Sequence, residues 1–592
     1  MEKEMKLKQL RKEMVKQGVA AVIIPSGDPH LSEYVAEHWR TRAWISGFTG
    51  SAGTVVVTEN EAGLWTDSRY FLQAERELEG TGITLFKMGT PGVPTVEDWI
   101  IGQLYKKDCV GVDTRLFSYN QLTAMEEKFN EKKIDIIHIE GLGSKGWDNR
   151  PRLPKDTISL HDEEIAGMSL SAKVATIRTA MAEQRASAYL VTALDEIAWL
   201  FNLRGADVAY NPVFYAYAII FTNRITLFID QAKLSPAIIR TLNNNDIELF
   251  DYEEIADVVK NFVKKERILI DPAKTNYALV SDIPGRSIIV WQSSPIAMAK
   301  ACKNEVELEG IRRAMIHDGV ALVEAFHWLE NTVGKETITE LTVEEKLRDC
   351  RSRQPHFVGE SFGSIVGYAE HGAIVHYSAS PETASEIKPA SFILIDSGGQ
   401  YNCGTTDITR TIHLATPTEQ EMVDYTLVLK GMIALSQAVF TPNTRGTNLD
   451  MLARQPLLSH HMNYGHGTGH GVGFFLNVHE GPQSIRMEEN SVTIRPGMVC
   501  SNEPGLYRQG VHGIRIENLV ACVPDGSNDF GTFNMWETLT LCPIDTKAIK
   551  VEMLSKEERE WFNGYHKQVF EALSPRLVPE LKDWLAEKTK AI

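Results

Sequence analysis

Four short segments in the last third of the chain concentrate side chains that can bind cations or move protons. SFILIDSGGQY runs apolar residues into Asp396 and then a Ser-Gly-Gly turn; eleven residues on, GTTDITRTIHL places Asp407 in the following strand. GHGTGHGVGFFLNVHEGP sets His466, His470 and His479 among glycines. SNEPGLY supplies Glu503, and GIRIENLV supplies Glu517 within an alternating strand pattern. Taken singly, each has an ordinary explanation: an aspartate commonly ends a hydrophobic strand, and Gly-His-Gly is usually a turn. Together they pose an electrostatic problem. Carboxylates gathered in one place repel and raise each other's pKa values, which folds avoid without a purpose. Two divalent cations remove the problem, because their four positive charges balance four carboxylates. Oxygen-rich donors with one imidazole suit Mn²⁺, Co²⁺, Fe²⁺ or Zn²⁺. By spacing alone, both readings stay open.

The elements around these residues have to bring them together. A strand into Asp396, a turn and a second strand fit a hairpin that puts both aspartates on one face. Arg515 stands two residues before Glu517, so in a strand the two share a face. A guanidinium there orients the carboxylates or forms a surface ion pair of little worth; the first is the expected role. His460 and His461 are adjacent and diverge in direction, which makes them structural.

A chain of 592 residues exceeds one hydrophobic core and predicts two to four domains. Residues 1–160 read as an α/β unit: a charged helix over 5–17, a buried strand in GVAAVIIP, a helix near 31–37, a glycine-rich stretch over 47–54 and the strand VVVT. The glycine-rich stretch lacks the Lys-Ser/Thr of a phosphate loop and precedes a strand, so it is read as a tight turn. A similar order recurs over residues 161–300, where Ala198-Trp199-Leu200 lines up with Ala43-Trp44-Ile45 and a strand falls at 188–191. Residues 301–592 form a third region, opening on the amphipathic pattern NEVELEGIRRAMIHDGVALVEAFHWLE and closing on a helical tail.

The formal charge of −17 carries no basic stripe for a nucleic acid. Seven scattered cysteines without a CxxC pair predict neither a disulfide framework nor a thiolate zinc site. No secretory apolar core or membrane-length apolar run is present. These features predict a cytoplasmic protein with reduced thiols and no membrane partner.

The five residues Asp396, Asp407, His470, Glu503 and Glu517 resemble the ligand set of the "pita-bread" metallopeptidases, which include methionine aminopeptidase, prolidase and aminopeptidase P. The wording GHGTGHGVGFFLNVHEGP, NEPGLY and GIRIEN is most similar to aminopeptidase P. WTDSRYFLQA, AIVHYSA and the duplicated front half extend the likeness over nearly the whole chain, toward the three-domain cytosolic form. The resemblance implies an α/β (α+β) architecture of two related creatinase-like domains followed by a pita-bread catalytic domain with a C-terminal helical extension. It implies two metal ions, Mn²⁺ first with Zn²⁺ or Co²⁺ as alternatives. Asp396 would chelate one, Asp407 and Glu517 would bridge the pair, and His470 with Glu503 would complete the second. A hydroxide held between them would be the nucleophile, with Glu503 as proton shuttle.

The same resemblance places His376, His466, His479 and Arg515 among the catalytic residues. His376, His466 and His479 would hold the substrate, joined by Arg69 from WTDSRYF. Phe362 and Tyr377 are candidates for a wall against a proline ring. The implied reaction is hydrolysis of the bond between an N-terminal residue and a following proline, by a homodimer. A prolidase acting on X-Pro dipeptides and a non-catalytic peptide-binding module are the alternatives. The long duplicated front half argues against the first, and the intact ligand set argues against the second.

Overall fold

The structure is a computed structural model that describes residues 2–262 and 266–592. Contacts divide the chain into two compact units, one of residues 1–161 and 168–296, the other of residues 162–167 and 297–592.

The first unit contains two six-stranded mixed sheets of identical plan. One runs Thr84–Lys87, Ala62–Thr66, Thr54–Thr58, Ala21–Pro25, Cys109–Val112, Asp135–His138. The other runs Ile247–Phe250, Ile225–Ile229, Ala216–Phe221, Ala188–Val191, Arg267–Ile270, Ile288–Trp291. In each, three central strands pair antiparallel and the flanking strands add in parallel. Alternation explains why these strands read as unbroken apolar runs. Val22, Ile24, Val55 and Val57 pack on Leu7, Leu10 and Met14, while Ile23, Val56 and Trp65 pack on Ile100 and Phe129. Both faces are covered, so both alternating sets must be apolar.

One expected helix is absent. Residues 31–36 form no helix; short helical turns occur instead at Glu37–Trp39 and Thr41–Ser46. The Asp28 carboxylate accepts from the backbone of His30 and Ser32, and Leu31 takes φ 59°. That local turn competes successfully with helix formation.

The second unit is organised around the helix Glu305–Thr332. Its start is set by Asn304, whose side chain accepts from the Val306 and Glu307 amides while Glu307 accepts from the Asn304 amide. Leu308, Ile311 and Met315 pack against Val472, Phe474 and Val499; Leu322, Phe326 and Leu329 pack against Ile393, Ile395 and Ile408. The unit holds a three-stranded sheet ordered Ile365–Tyr368, Phe392–Ser397, Ile408–His413. A six-stranded sheet runs Val439–Phe440, Gly531–Thr538, Asn518–Asn528, Val499–Asn502, Gly469–Gly471, Glu480–Ile485. A two-stranded hairpin pairs Gly505–Arg508 with His512–Arg515. The tail forms helices Lys556–Leu573 and Pro579–Lys588, whose Phe562, Val569 and Leu585 complete a core with Leu427, Val428 and Ile514. No described helix of the chain is long and apolar enough to cross a membrane.

Candidate metal centre

The strand Phe392–Ser397 pairs antiparallel with Ile408–His413, with Asp396 directly opposite Thr409. Asp407 lies one residue before its strand, two residues from Thr409 and therefore on Thr409's face. The connection is more than a simple turn, because Gly399–Tyr401 and Gly404–Thr405 pair within it. Glu517 sits in the two-residue break between strands His512–Arg515 and Asn518–Asn528, held by its amide bonding Thr409 O at 3.1 Å. His470 is central in Gly469–Gly471. Gly469 is obligatory there: a Cβ would meet Ser501 O at 2.0 Å, so only glycine lets the two strands approach.

The result is a cluster of all five expected ligands. One donor atom each of Asp407, His470 and Glu517 lies within 4.8 Å of the others. His470 Nε2 stands 3.4 Å from Asp407 Oδ2 and 3.6 Å from Glu503 Oε1. Asp396, Asp407 and Glu517 are buried; Glu503 and His470 are half-buried. Arg515 is 1% exposed, which rules out a surface ion pair. Its Nη2 donates to Asp396 Oδ2 at 2.6 Å, its Nε to Thr409 Oγ1 at 3.1 Å, and its Nη1 to Tyr507 Oη at 2.7 Å. Thr409 in turn donates to Glu517 Oε2 at 2.8 Å.

Electrostatics show what the cluster lacks. Burial, then Asp407 beside it, pushes the Asp396 carboxyl up despite Arg515. Burial and the neighbouring Asp407, Glu503 and Asp396 drive Glu517 well above the carboxylate range. Burial lifts Glu503 to about 7, against the pull of His470 and Arg515. Burial alone would lower His470, but Asp407 and Glu503 carry it up to about 9. Asp396 Oδ1 is buried without a hydrogen-bond partner. One buried guanidinium cannot neutralise four carboxylates. An orphaned carboxylate oxygen beside converging oxygen and imidazole donors fits divalent cations.

Two of the expected histidines, His479 and His466, fall close by. His479 packs edge-on against His470 with ring centroids 4.4 Å apart. His466 Nε2 meets Tyr507 Oη at 2.8 Å, joining it through Tyr507 to Arg515 and Asp396. His376 is half-buried, just past the helical turn Ala369–Ala373. Phe362 is buried. Tyr377 turns its hydroxyl to Glu340 and stacks on His371, so it serves the loop's own packing. His460 and His461 are exposed. Arg69 belongs to the first unit, where it forms a two-point ion pair with Asp67.

Thr409, Tyr507, Asp450 and Arg454 were not expected. Thr409 carried a signal, being two residues from Asp407 in a strand. Arg454 carried none: it is a buried arginine on a helix, donating to Asp450, to Asn463, and to the carbonyls of Tyr464 and His466.

Sequence comparison matches residues 6–142 and 149–307 to creatinase/prolidase N-terminal domains, 309–524 to metallopeptidase family M24, and 532–592 to the C-terminal region of peptidase M24. Aminopeptidase P2 of Arabidopsis thaliana is 40% identical over 97% of this chain and 86% of its own. A probable Xaa-Pro aminopeptidase P of Talaromyces marneffei is 41% identical over 99% of this chain and 92% of its own. The chain belongs to metallopeptidase family M24. The crystal structure of the X-prolyl aminopeptidase of Caenorhabditis elegans, described as a cytosolic enzyme with a di-nuclear active site, superposes with TM-score 0.95 at 34% identity, covering 99% of both chains. A prolidase of Thermococcus sibiricus shares the fold at TM-score 0.50 and 21% identity over 64% of this chain and 98% of its own.

Proposed function

We propose that this chain is a metal-dependent aminopeptidase that releases the first residue of a peptide whose second residue is proline. The observation that carries this reading is the full-length likeness to the nematode X-prolyl aminopeptidase, supported by a buried carboxylate–imidazole cluster matched to divalent cations. We read the domain plan as 1–160, 161–300 and 301–592, in keeping with the matched segments.

Asp396, Asp407, His470, Glu503 and Glu517 would hold two cations. When bound, such ions polarise a carbonyl and lower the pKa of water toward neutrality. The chain's own residues do the rest. Glu503, half-buried 3.6 Å from His470 Nε2, would serve as the proton shuttle. Arg515 fixes Asp396 and, through Thr409, Glu517. His376, His466 and His479 would contact the substrate and stabilise charge on its carbonyl oxygen. Such a site recognises proline by shape, since the tertiary amide offers no N–H.

Mn²⁺ is our assigned metal, the homodimer our assigned assembly and the cytoplasm our assigned compartment, the last in keeping with the nematode enzyme's description. The deciding experiment measures release of the first residue from an Arg-Pro-Pro peptide, its Arg-Ala-Pro analogue and an X-Pro dipeptide, with and without Mn²⁺. The expected outcome is cleavage of the first far above the second. Cleavage confined to the dipeptide would indicate a prolidase, and no cleavage after metal reconstitution would indicate a binding module. Elemental analysis checks the metal, and sedimentation at micromolar concentration checks the dimer.

A further inference from the structure

Between the helical turn Ala369–Ala373 and the strand Phe392–Ser397, the chain forms neither helix nor strand, yet it carries His376. A few turn hydrogen bonds order it locally, such as Tyr377 N to Ile374 O and Ala384 N to Ser380 O, and side chains tie these turns together. Glu340, the first residue of helix Glu340–Ser352, is 0% exposed and lies at the centre of this loop. Its Oε1 accepts from the Tyr368 amide at 2.8 Å and from His371 Nδ1 at 2.9 Å. Its Oε2 accepts from the Tyr377 hydroxyl at 2.9 Å and the Ser385 amide at 2.8 Å. Four donors thus meet the four lone-pair positions of one carboxylate.

These donors span the loop. Tyr368 stands at its entrance, His371 and Tyr377 stack at 4.4 Å on either side of His376 in sequence, and Ser385 lies toward the exit. Main-chain bonds from Glu340 to Ser385 and from Ile387 to Ile338 fasten the same exit. Gly372, inside the helical turn, lies so close to Gly513 that a Cβ on Gly513 would meet Gly372 O at 1.7 Å. The helical turn that leads into the loop is therefore pressed against the strand that ends in Arg515. Helix capping does not account for Glu340, because Thr339 already accepts from the Thr342 amide at the cap.

We propose that Glu340 is a positioning residue: by gathering Tyr368, His371, Tyr377 and Ser385 around one buried carboxylate, it holds His376 in the orientation that meets the substrate. This rests on the substrate contact proposed above for His376. Glu340→Gln preserves shape, but its amide nitrogen cannot accept, so two donors lose their acceptor.

The test is a double-mutant cycle of Glu340→Gln and His376→Ala on the metal-loaded full chain, with an X-Pro peptide as substrate. Glu340→Gln is expected to lower kcat/KM by roughly 10–100-fold, as for other groups that orient an active-site side chain, with metal content and circular dichroism unchanged. On the His376→Ala background it should add less than about a further 2-fold, because its effect passes through His376. Losses that multiply in the double variant, or a fully active Glu340→Gln beside a crippled His376→Ala, would overturn the proposal. A fully active His376→Ala would overturn the role of His376 itself, and with it the positioning role. Should Glu340→Gln not fold, Tyr377→Phe removes one of the four donors beside His376, and the same cycle applies.

Discussion

The second unit positions functional side chains in two different ways. Asp396, Asp407 and Glu517 are on or beside paired strands, and ladder hydrogen bonds set their places: Asp396 lies opposite Thr409, and the Glu517 amide bonds Thr409 O. His376 and His466 sit on irregular chain, and buried polar side chains set theirs. Glu340 does so around His376, and Arg454 with Asp450 does so around His466. The ladder reuses backbone groups that need partners anyway. The loops must bury charge to gain the same precision, which is costly unless every polar atom is satisfied. The proposed cation ligands on or beside paired strands share the stiffer framework, and the proposed substrate contacts His376 and His466 lie on the loops.

The largest effect should come from the strand-borne set. Glu517→Gln and His470→Ala are expected to abolish turnover in a peptide assay. Glu517→Gln should nevertheless keep or raise the melting temperature of chelator-treated protein, because it removes one of several crowded carboxyls. A fall of more than about 4 °C, equivalent to a sizeable loss for a unit of this size, would mean that Glu517 serves folding instead.

A smaller effect is expected on the loop side. Arg454 forks to Asn463, Tyr464 O and His466 O, while Asp450 accepts from Thr468, whose carbonyl receives the Glu503 amide. Lysine keeps the charge and loses the fork. Arg454→Lys should lower kcat/KM by roughly 10–100-fold without altering metal content. Loss of metal together with activity would erase the distinction between strand and loop.

The hairpin that bears Tyr507 and Arg515 combines both devices. Asp424 accepts from Arg508 and His512, one on each of its strands, and from Gln420. Burial would raise this carboxyl, but the hydrogen bonds of Arg508, His512 and Gln420 hold it down at about 2. Because the folded value lies below the unfolded value of about 3.9, the stabilisation is present above roughly pH 4 and is lost as pH falls toward 2. Asp424→Asn should therefore cost about 2 kcal/mol near pH 7 and progressively less below pH 4, read by urea unfolding across pH. A pH-independent cost would show that packing, and not charge, holds the hairpin.

The smallest effect is expected at His460 and His461. Both are exposed, with His460 Nδ1 turned to Pro456 O at 3.1 Å. Alanine at either should change activity by less than about 2-fold. A metal-binding defect there would bring a third kind of site into the comparison.

Much of the centre was legible because its chemistry is local in sequence. An apolar run into Asp396, glycines around His470 and alternation through Glu517 each carry their own signal. Tyr507 and Thr409 lay within reach, one inside NEPGLY and the other two residues from Asp407. Glu340, Asp450 and Arg454 were not legible. They sit on helices whose patterns are ordinary, and only packing shows that their charged ends are buried and turned to a loop. The missed turn at 31–36 has the same cause at smaller scale: Asp28 captures two backbone amides, which a helical pattern does not reveal.

The sequence by itself offered the candidate donors, which only the family resemblance joined into one set, and it determined that four gathered carboxylates require compensating charge and that two α/β modules precede the region bearing them. It did so because periodicity, charge and glycine placement act over a few residues. The tertiary structure alone decided that Arg515 is buried against Asp396, that Thr409 joins Arg515 to Glu517, and that one glutamate fastens the His376 loop. Those choices depend on contacts across tens to more than a hundred residues. No local pattern records which distant partner will satisfy a buried charge.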